Sequence, residues 1–276
     1  MAITTLDGLV NAMGNNSSRM VLDKASIASQ AAGTFVSLWR ATGQPAQGAI
    51  PGAAAICTNA TTGAIGFAQQ TAPATTYGGL LYATSANAAM TLEIHDRLMH
   101  MGGLNGTLTT AQTVNLDVHA NIATSNLAAR IGDSNYSDIQ WWLEWYTATG
   151  STAVTATVAV TYDDGTTGTV SASLAATRPA SFMLPLNGLN TSTGKFIRDV
   201  DTVTLSATTG TAGSFGVTAT RPRMVLPMNI ANKTENADWQ ALGLPEVANS
   251  ACLFPIVLTS TTSSGTLRGG GKLAHG

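Results

Sequence analysis

Apolar and polar side chains alternate from Asp138 to Leu174. Ile139, Trp141, Leu143 and Trp145 interleave with Gln140, Trp142, Glu144 and Tyr146. This period of two is the mark of a strand with two chemically different faces. After a Thr-Ala-Thr-Gly-Ser loop, Val154, Ala156, Val158, Val160 and Tyr162 share one face, and Thr155, Thr157, Ala159 and Thr161 the other. Asp164-Gly165 is a hairpin signal, because glycine accepts the positive φ such turns need. Val170, Ala172 and Leu174 resume the alternation. The pattern predicts three adjacent antiparallel strands, apolar on one face and hydroxylated on the other.

The same reading extends along the chain. Strands are expected at Thr34–Arg40, Tyr77–Tyr82, Met90–Leu98, Val114–Val118, Phe182–Leu186, Thr202–Ala207, Phe215–Ala219, Met224–Ile230, Ala251–Thr259 and Thr266–Leu273. Arg19–Asp23 fits strand or helix. Gly102-Gly103 and Asn105-Gly106 are expected as tight turns. Ala251–Thr259 is apolar on both faces, so it should be covered on both sides. Gly269-Gly270-Gly271 should interrupt the last strand, and Asn236 should cap a short helical turn through Trp239 and Leu242.

One helix is expected near the start. Leu6, Leu9, Val10 and Met13 fall at i, i+3, i+4 and i+7 behind Thr5, with Asp7 in the first turn. So short a helix is marginal alone. It must dock, either on its own domain or on a neighbouring subunit. From Gly43 to Thr76 the chain is rich in Ala, Gly, Thr and Pro. It either holds short strands near Ala54–Cys57 and Ile65–Phe67 or lies as an extended arm across a partner.

The fold expected is therefore mainly β, an antiparallel, jelly-roll-like β-sandwich with a short N-terminal helix and extended arms. Three segments are expected. Residues 1–76 form the helix and arm, 77–235 the sandwich, and 236–276 a short helix, final strands and a Gly-rich tail on the core.

Composition changes this picture in one respect. Of the 276 residues, 44% are hydrophobic, which is ordinary, but only 10% are Asp, Glu, Lys or Arg, against roughly 25% in an average globular protein. Thr, Ser, Ala and Gly stand where charges usually sit. Either the exposed strand faces are simply hydroxylated, or much of the surface is covered by neighbours, since Lys and Glu are depleted at permanent interfaces. The net charge of −2 gives no electrostatic footprint for nucleic acid. Cys57 and Cys252 make no metal motif; they permit one disulfide, but read rather as small buried hydrophobes. The first residues lack a basic n-region and an apolar segment, so no secretion signal is expected, and no apolar run approaches the length of a membrane span.

Candidate chemistry is sparse. His95 and Asp96 point to opposite faces of a strand and His100 and His119 complete no zinc pattern, so Asp96 and Arg97 are expected to make local hydrogen bonds. Asp163-Asp164 reads as turn chemistry more than as a Ca²⁺ loop, and the same holds for Asp199 and Asp201. Trp142, Glu144 and Tyr146 form the one set worth singling out. A carboxylate between aromatics fits a glycan-stacking site or an interface, but no second acid accompanies it, as glycoside hydrolysis requires. The plainer alternative is that this second face is covered too. No catalytic, cofactor-binding or metal-binding residues are assigned, and no cofactor is expected.

Several stretches taken together carry a resemblance: LDGLV near the start, SLWRATGQPAQGA from Ser37, EIHDRLMHMGGLNGTLTTAQTV from Glu93, WLEWYTATGSTAVTATVAVTY from Trp142, TVTLSATTGTAGSFGVT from Thr202 and ACLFPIVLTSTTSSGTL from Ala251. The chain resembles tailed-bacteriophage virion structural proteins over nearly its whole length. The resemblance carries no catalytic residues. It implies a non-enzymatic particle protein, a capsid decoration or cement protein, located in the virion and assembled in the host cytoplasm. Its partners would be the major capsid protein or other virion proteins, with copies of itself in a homo-oligomer, and neither nucleic acid nor membrane. The alternatives are a carbohydrate- or receptor-binding module of a tail or head fibre, or another capsid, neck or tail subunit.

Overall fold

The computed structural model describes residues 2–276. The chain is mainly β and antiparallel, with one short N-terminal helix. Helix α1 spans Leu6–Asn15. Strands β1 to β4 are Ser17–Lys24, Thr34–Ser37, Gly43–Gln44 and Ala55–Ile56. Strands β5 to β8 are Thr76–Ser85, Met90–Leu104, Gln112–Asp117 and Gln140–Thr147. Strands β9 to β12 are Val154–Tyr162, Thr167–Leu174, Phe182–Pro185 and Ile197–Leu205. Strands β13 to β16 are Ser214–Met228, Glu235–Asp238, Leu253–Thr259 and Leu267–His275, and a single helical turn, α2, covers Trp239–Leu242.

These elements form two compact units. Among the described residues the first comprises 2–49, 58–96 and 222–276, and the second 50–57 and 97–221. The three segments read from the sequence cut across this division. Both units are sandwiches of antiparallel strands, because each sheet has one apolar face that must be covered.

In the first unit a five-stranded sheet runs β14-β5-β16-β1-β3. Its inward residues, Met20, Leu22, Leu81, Ala83, Leu267 and Leu273, share a core with Val36, Leu92, Ile94, Leu253 and Val257 from the β2, β6 and β15 ladder. Arg19–Asp23 is strand. Its burial alternates, with Met20 and Leu22 inward and Arg19, Val21 and Asp23 exposed. Strand β16 lies between β5 and β1 and passes unbroken through Gly269-Gly270-Gly271, where an interruption was expected. The glycines serve close packing instead: a Cβ on Gly269 would stand 2.2 Å from the Tyr82 carbonyl oxygen, and one on Gly271 2.1 Å from that of Leu80.

Helix α1 begins as expected, with Thr5 Oγ1 accepting the Gly8 N–H at 3.0 Å. Its inward face differs from the expected one. Leu9 and Ala12 are buried and Met13 packs beside them against Ala274, Trp239 and Leu244, while Leu6 and Val10 are 58% and 61% exposed. The helix thus docks on its own unit, the plainer of the two options. Asp238 rather than Asn236 caps α2, its carboxylate accepting from the N–H groups of Gln240 and Ala241. The Gly43–Thr76 stretch holds short strands, β3 and β4, and Ile65 bridges to Leu253.

In the second unit a four-stranded sheet runs β10-β9-β12-β7. Facing it are β8, flanked by β11 and by the first half of β13, and the second half of β6 with β4. The expected three-strand meander is therefore corrected. Strands β9 and β10 pair as a hairpin, but β8 belongs to the opposite sheet. Both sides needed a partner for the same core. Trp141, Leu143 and Trp145 of β8 and Val154, Ala156, Val158 and Val160 of β9 meet in one cluster, which adjacent strands of one sheet would have placed side by side. Gly102 and Gly103 are not a turn but lie within β6. A Cβ on Gly102 would stand 2.6 Å from the Pro51 carbonyl oxygen and 2.8 Å from the Tyr146 ring.

Candidate functional site

Several strand-borne charges, Lys24, Asp96, Arg97, Glu144 and Asp199, lie buried inside the sandwiches. In the second unit, Arg97 on β6 and Glu144 on β8 form an ion pair at 2.6 Å, with side chains 0% and 1% exposed. Arg97 Nη1 donates to Glu144 Oε1 at 3.3 Å and Nη2 to Oε2 at 2.6 Å, the fork geometry that suits guanidinium and carboxylate. Arg97 Nη2 also donates to the Tyr146 hydroxyl at 2.8 Å and to Thr218 Oγ1 at 3.2 Å. Both hydroxyls in turn donate to Glu144 Oε2, at 3.2 and 2.5 Å. Arg97 Nε donates to His100 Nδ1 at 2.9 Å.

The strand register explains the meeting. Thr218 stands opposite Trp142, and Gly216 opposite Glu144, in the β13–β8 ladder. Glu144, Tyr146 and Thr218 thus share one face, as alternate residues do. Burial works against the Arg97 charge, yet Glu144 and Tyr146 outweigh it and hold the guanidinium above its ordinary pKa. The Tyr146 phenol is pushed up by burial and by Glu144, so it stays a proton donor. Arg130, also buried, braces the same strand. It donates to the Cys57 carbonyl at 2.8 Å and to the Arg97 carbonyl at 3.0 Å.

Trp142, Glu144 and Tyr146 are therefore neither a stacking platform nor an exposed interface. Trp141, Trp142, Trp145 and Tyr146 are all buried within the chain, and the Trp142 indole donates to Thr220 Oγ1. The second face of β8 is covered within the chain. Thr218 and Arg130 escaped the sequence reading, as did the pairing of Arg97 with Glu144. The signal available was one Arg and one Glu, each inside a long strand pattern of a chain in which only 10% of residues are charged.

Arg97 makes the expected local hydrogen bond, to His100, but also reaches across to β8, while Asp96 accepts from the distant Cys252 backbone N–H at 2.8 Å. His95 Nε2 lies 2.7 Å from Glu93 Oε2, and His119 Nδ1 2.5 Å from the Tyr136 hydroxyl. Asp164 sits in the expected turn, held well below the usual carboxylate range by Lys195 and Thr166. Asp199 accepts from the His119 N–H and from Arg198, while burial raises it. Cys57 and Cys252 are buried thiols. Among the described residues no group of His, Cys, Asp and Glu is placed to hold a metal ion, and no helix is long and apolar enough to cross a membrane.

What the second unit does present is a hydroxylated sheet face. Its rows run Thr169–Ala159–Thr202–Thr113 and Ser171–Thr157–Thr204, followed by Ser173–Thr155. Thr113, Thr157, Thr169, Ser171 and Ser173 are exposed and the rest half-buried. No Asp, Glu, Lys or Arg stands in these rows. The opposite sides of the same strands, Val158, Val170, Val203 and Val114, are in the core.

No family model matches the chain, and no curated protein matches it. Among solved structures it is similar to particles with T=1 symmetry derived from infectious bursal disease virus, at 10% identity and a TM-score of 0.17, covering 94% of this chain and 77% of that one. It is also similar to the VP2 subviral particle of the same virus, at 13% identity and a TM-score of 0.17, covering 94% and 80%. TM-scores this low carry no argument about fold or function.

Proposed function

We propose that the protein is a non-enzymatic structural subunit of a virus particle. The finer form of the reading is a capsid decoration or cement protein of a tailed bacteriophage, bridging subunits of the major capsid protein and present in several copies. The observation that carries it is the distribution of charge. Arg97, Glu144, Arg130 and Lys24 are sealed in the sandwiches, while the central rows of the outer face of the β10-β9-β12-β7 sheet, Thr169–Ala159–Thr202–Thr113 and Ser171–Thr157–Thr204, carry no Asp, Glu, Lys or Arg. Such a surface is poorly suited to remaining alone in water and well suited to lying against other protein. The sequence resemblance to phage virion proteins points the same way.

A bridging subunit stabilises a shell because parting its neighbours must expose apolar area, at roughly 25 cal/mol per Å². The test is to prepare particles without the protein and heat them. Genome release at a lower temperature, restored by adding the protein back, is the expected result; unchanged heat tolerance would sink the cement role. An electron-microscopy map of the native particle places the subunit directly, on the head if it is a cement and at the neck or tail if it is another structural subunit. The glycan-stacking alternative loses its motive, since the rings that suggested it are covered.

A further inference from the structure

Sheet edges expose unpaired N–H and C=O groups, and folded proteins blunt them with shortness, charge, proline or bulges. Here most edges are blunted. Strand β3 is two residues long and followed by Pro45. Strand β14 has four residues with Glu235 and Asp238 at its ends. Strand β4 also has two residues. Strand β7 ends in Asp117, holds Asn115 at φ 52° and meets a register shift in β12.

Strand β10 is different. Its eight residues, Thr167–Leu174, contain no charge and no proline, and pair with β9 without a register shift. It is the outermost strand of its sheet. The Tyr162 N–H donates to the Thr166 carbonyl, and the Ser206 N–H to that of Thr155. By antiparallel alternation, Gly168, Val170, Ala172 and Leu174 then bond to β9, and the main-chain groups of Thr167, Thr169, Ser171 and Ser173 point outward. Among the described residues no strand pairs with these groups.

We propose that β10 pairs antiparallel with β10 of a second copy of this chain, about a twofold axis at Ser171. This names the surface for the self-association contained in the functional reading above, and rests on it only there. The register follows from which groups are outward. Ser171 would face Ser171 of the second copy, and Thr169 would face Ser173, giving about six main-chain hydrogen bonds and one continuous eight-stranded sheet. A second copy fits because an isologous pairing sets every side chain against its own symmetry mate's neighbours. A charge near the axis would meet its like, and this strand has none.

The full-length protein tests this by sedimentation velocity over a concentration series. The wild type should self-associate, and Ser171→Lys, which places two ammonium groups at the axis, should weaken association at least tenfold. Its thermal unfolding should match the wild type, because Ser171 is exposed. Ser171→Cys should form an intermolecular disulfide on mild oxidation, since bonded antiparallel pairs bring Cα atoms to about 5.5 Å, within disulfide reach. A wild type that stays monomeric overturns the inference. So does self-association that Ser171→Lys leaves unchanged, which would leave the particle role standing, because that role is judged by the heat tolerance of particles.

Discussion

Arg97 and Glu144, 47 residues apart in the chain, meet inside the second sandwich through two guanidinium–carboxylate hydrogen bonds, with Tyr146 and Thr218 bonded to both. Breaking such a pair from one side leaves an uncompensated buried charge, whereas replacing both partners does not. Glu144→Gln should therefore cost about 3–5 kcal/mol of stability. The double variant Arg97→Met with Glu144→Leu should cost far less than its two single changes added together. Urea unfolding followed by tryptophan fluorescence measures both. A Glu144→Gln loss under about 1 kcal/mol, within the range of exposed pairs, would contradict the brace.

Lys24 supplies a pH dependence. It is fully buried, with Nζ donating to the carbonyls of Ala41 and Pro45 at 3.0 and 2.6 Å, and burial lowers its pKa to about 8. Below pH 8 the folded and unfolded chains both carry the proton, so nothing changes. Between 8 and the unfolded value near 10.4 the unfolded chain binds more protons, so stability rises with pH there. The gain is at most about 3 kcal/mol. Unfolding of the wild type and Lys24→Met compared from pH 7 to 10.5 should show the wild type gaining relative to the variant. A constant difference would refute it.

Helix α1 separates packing from exposure within one turn. Leu9→Ala should cost about 2 kcal/mol or more, and Thr5→Ala about 1 kcal/mol through the lost cap. Val10→Ala should stay within about 0.5 kcal/mol, as exposed substitutions do. Equal losses at Leu9 and Val10 by thermal unfolding would contradict the docking face.

Gly271 tests the central strand of the first unit. Gly271→Ala sets a methyl against the Leu80 carbonyl oxygen and should cost about 1–3 kcal/mol. Gly188→Ala meets nothing within 4 Å and serves as the neutral control. Amide hydrogen exchange in β5 and β16 should rise for the first and not for the second.

Much of the fold was legible because period-two alternation is local. The strands β9 and β10, their Asp164-Gly165 turn and the Thr5 cap could be read from a few residues each. What was hidden depends on which strand lies opposite. The alternation of β8 reports two faces, not that Arg97 and Thr218 fill the second one. Nor does it reveal that β8 and β9 belong to facing sheets, since a loop of the same length serves a hairpin or a crossing. Leu6 and Val10 match helical spacing as well as Leu9 does, and only the docking partner decides which face turns inward. Glycines were misread for a related reason: Gly102 and Gly271 mark close approach of another chain segment, which sequence neighbours cannot show.

The position of β16 has a consequence for biosynthesis. It lies between β5 and β1, so a strand made after both of them must enter the middle of their sheet. Until then β1 and β5 lack the neighbour they share, and residues 2–49 and 58–96 wait as a nascent half-structure. Residues 97–221, by contrast, are complete before β16 is made and can close around their own core first.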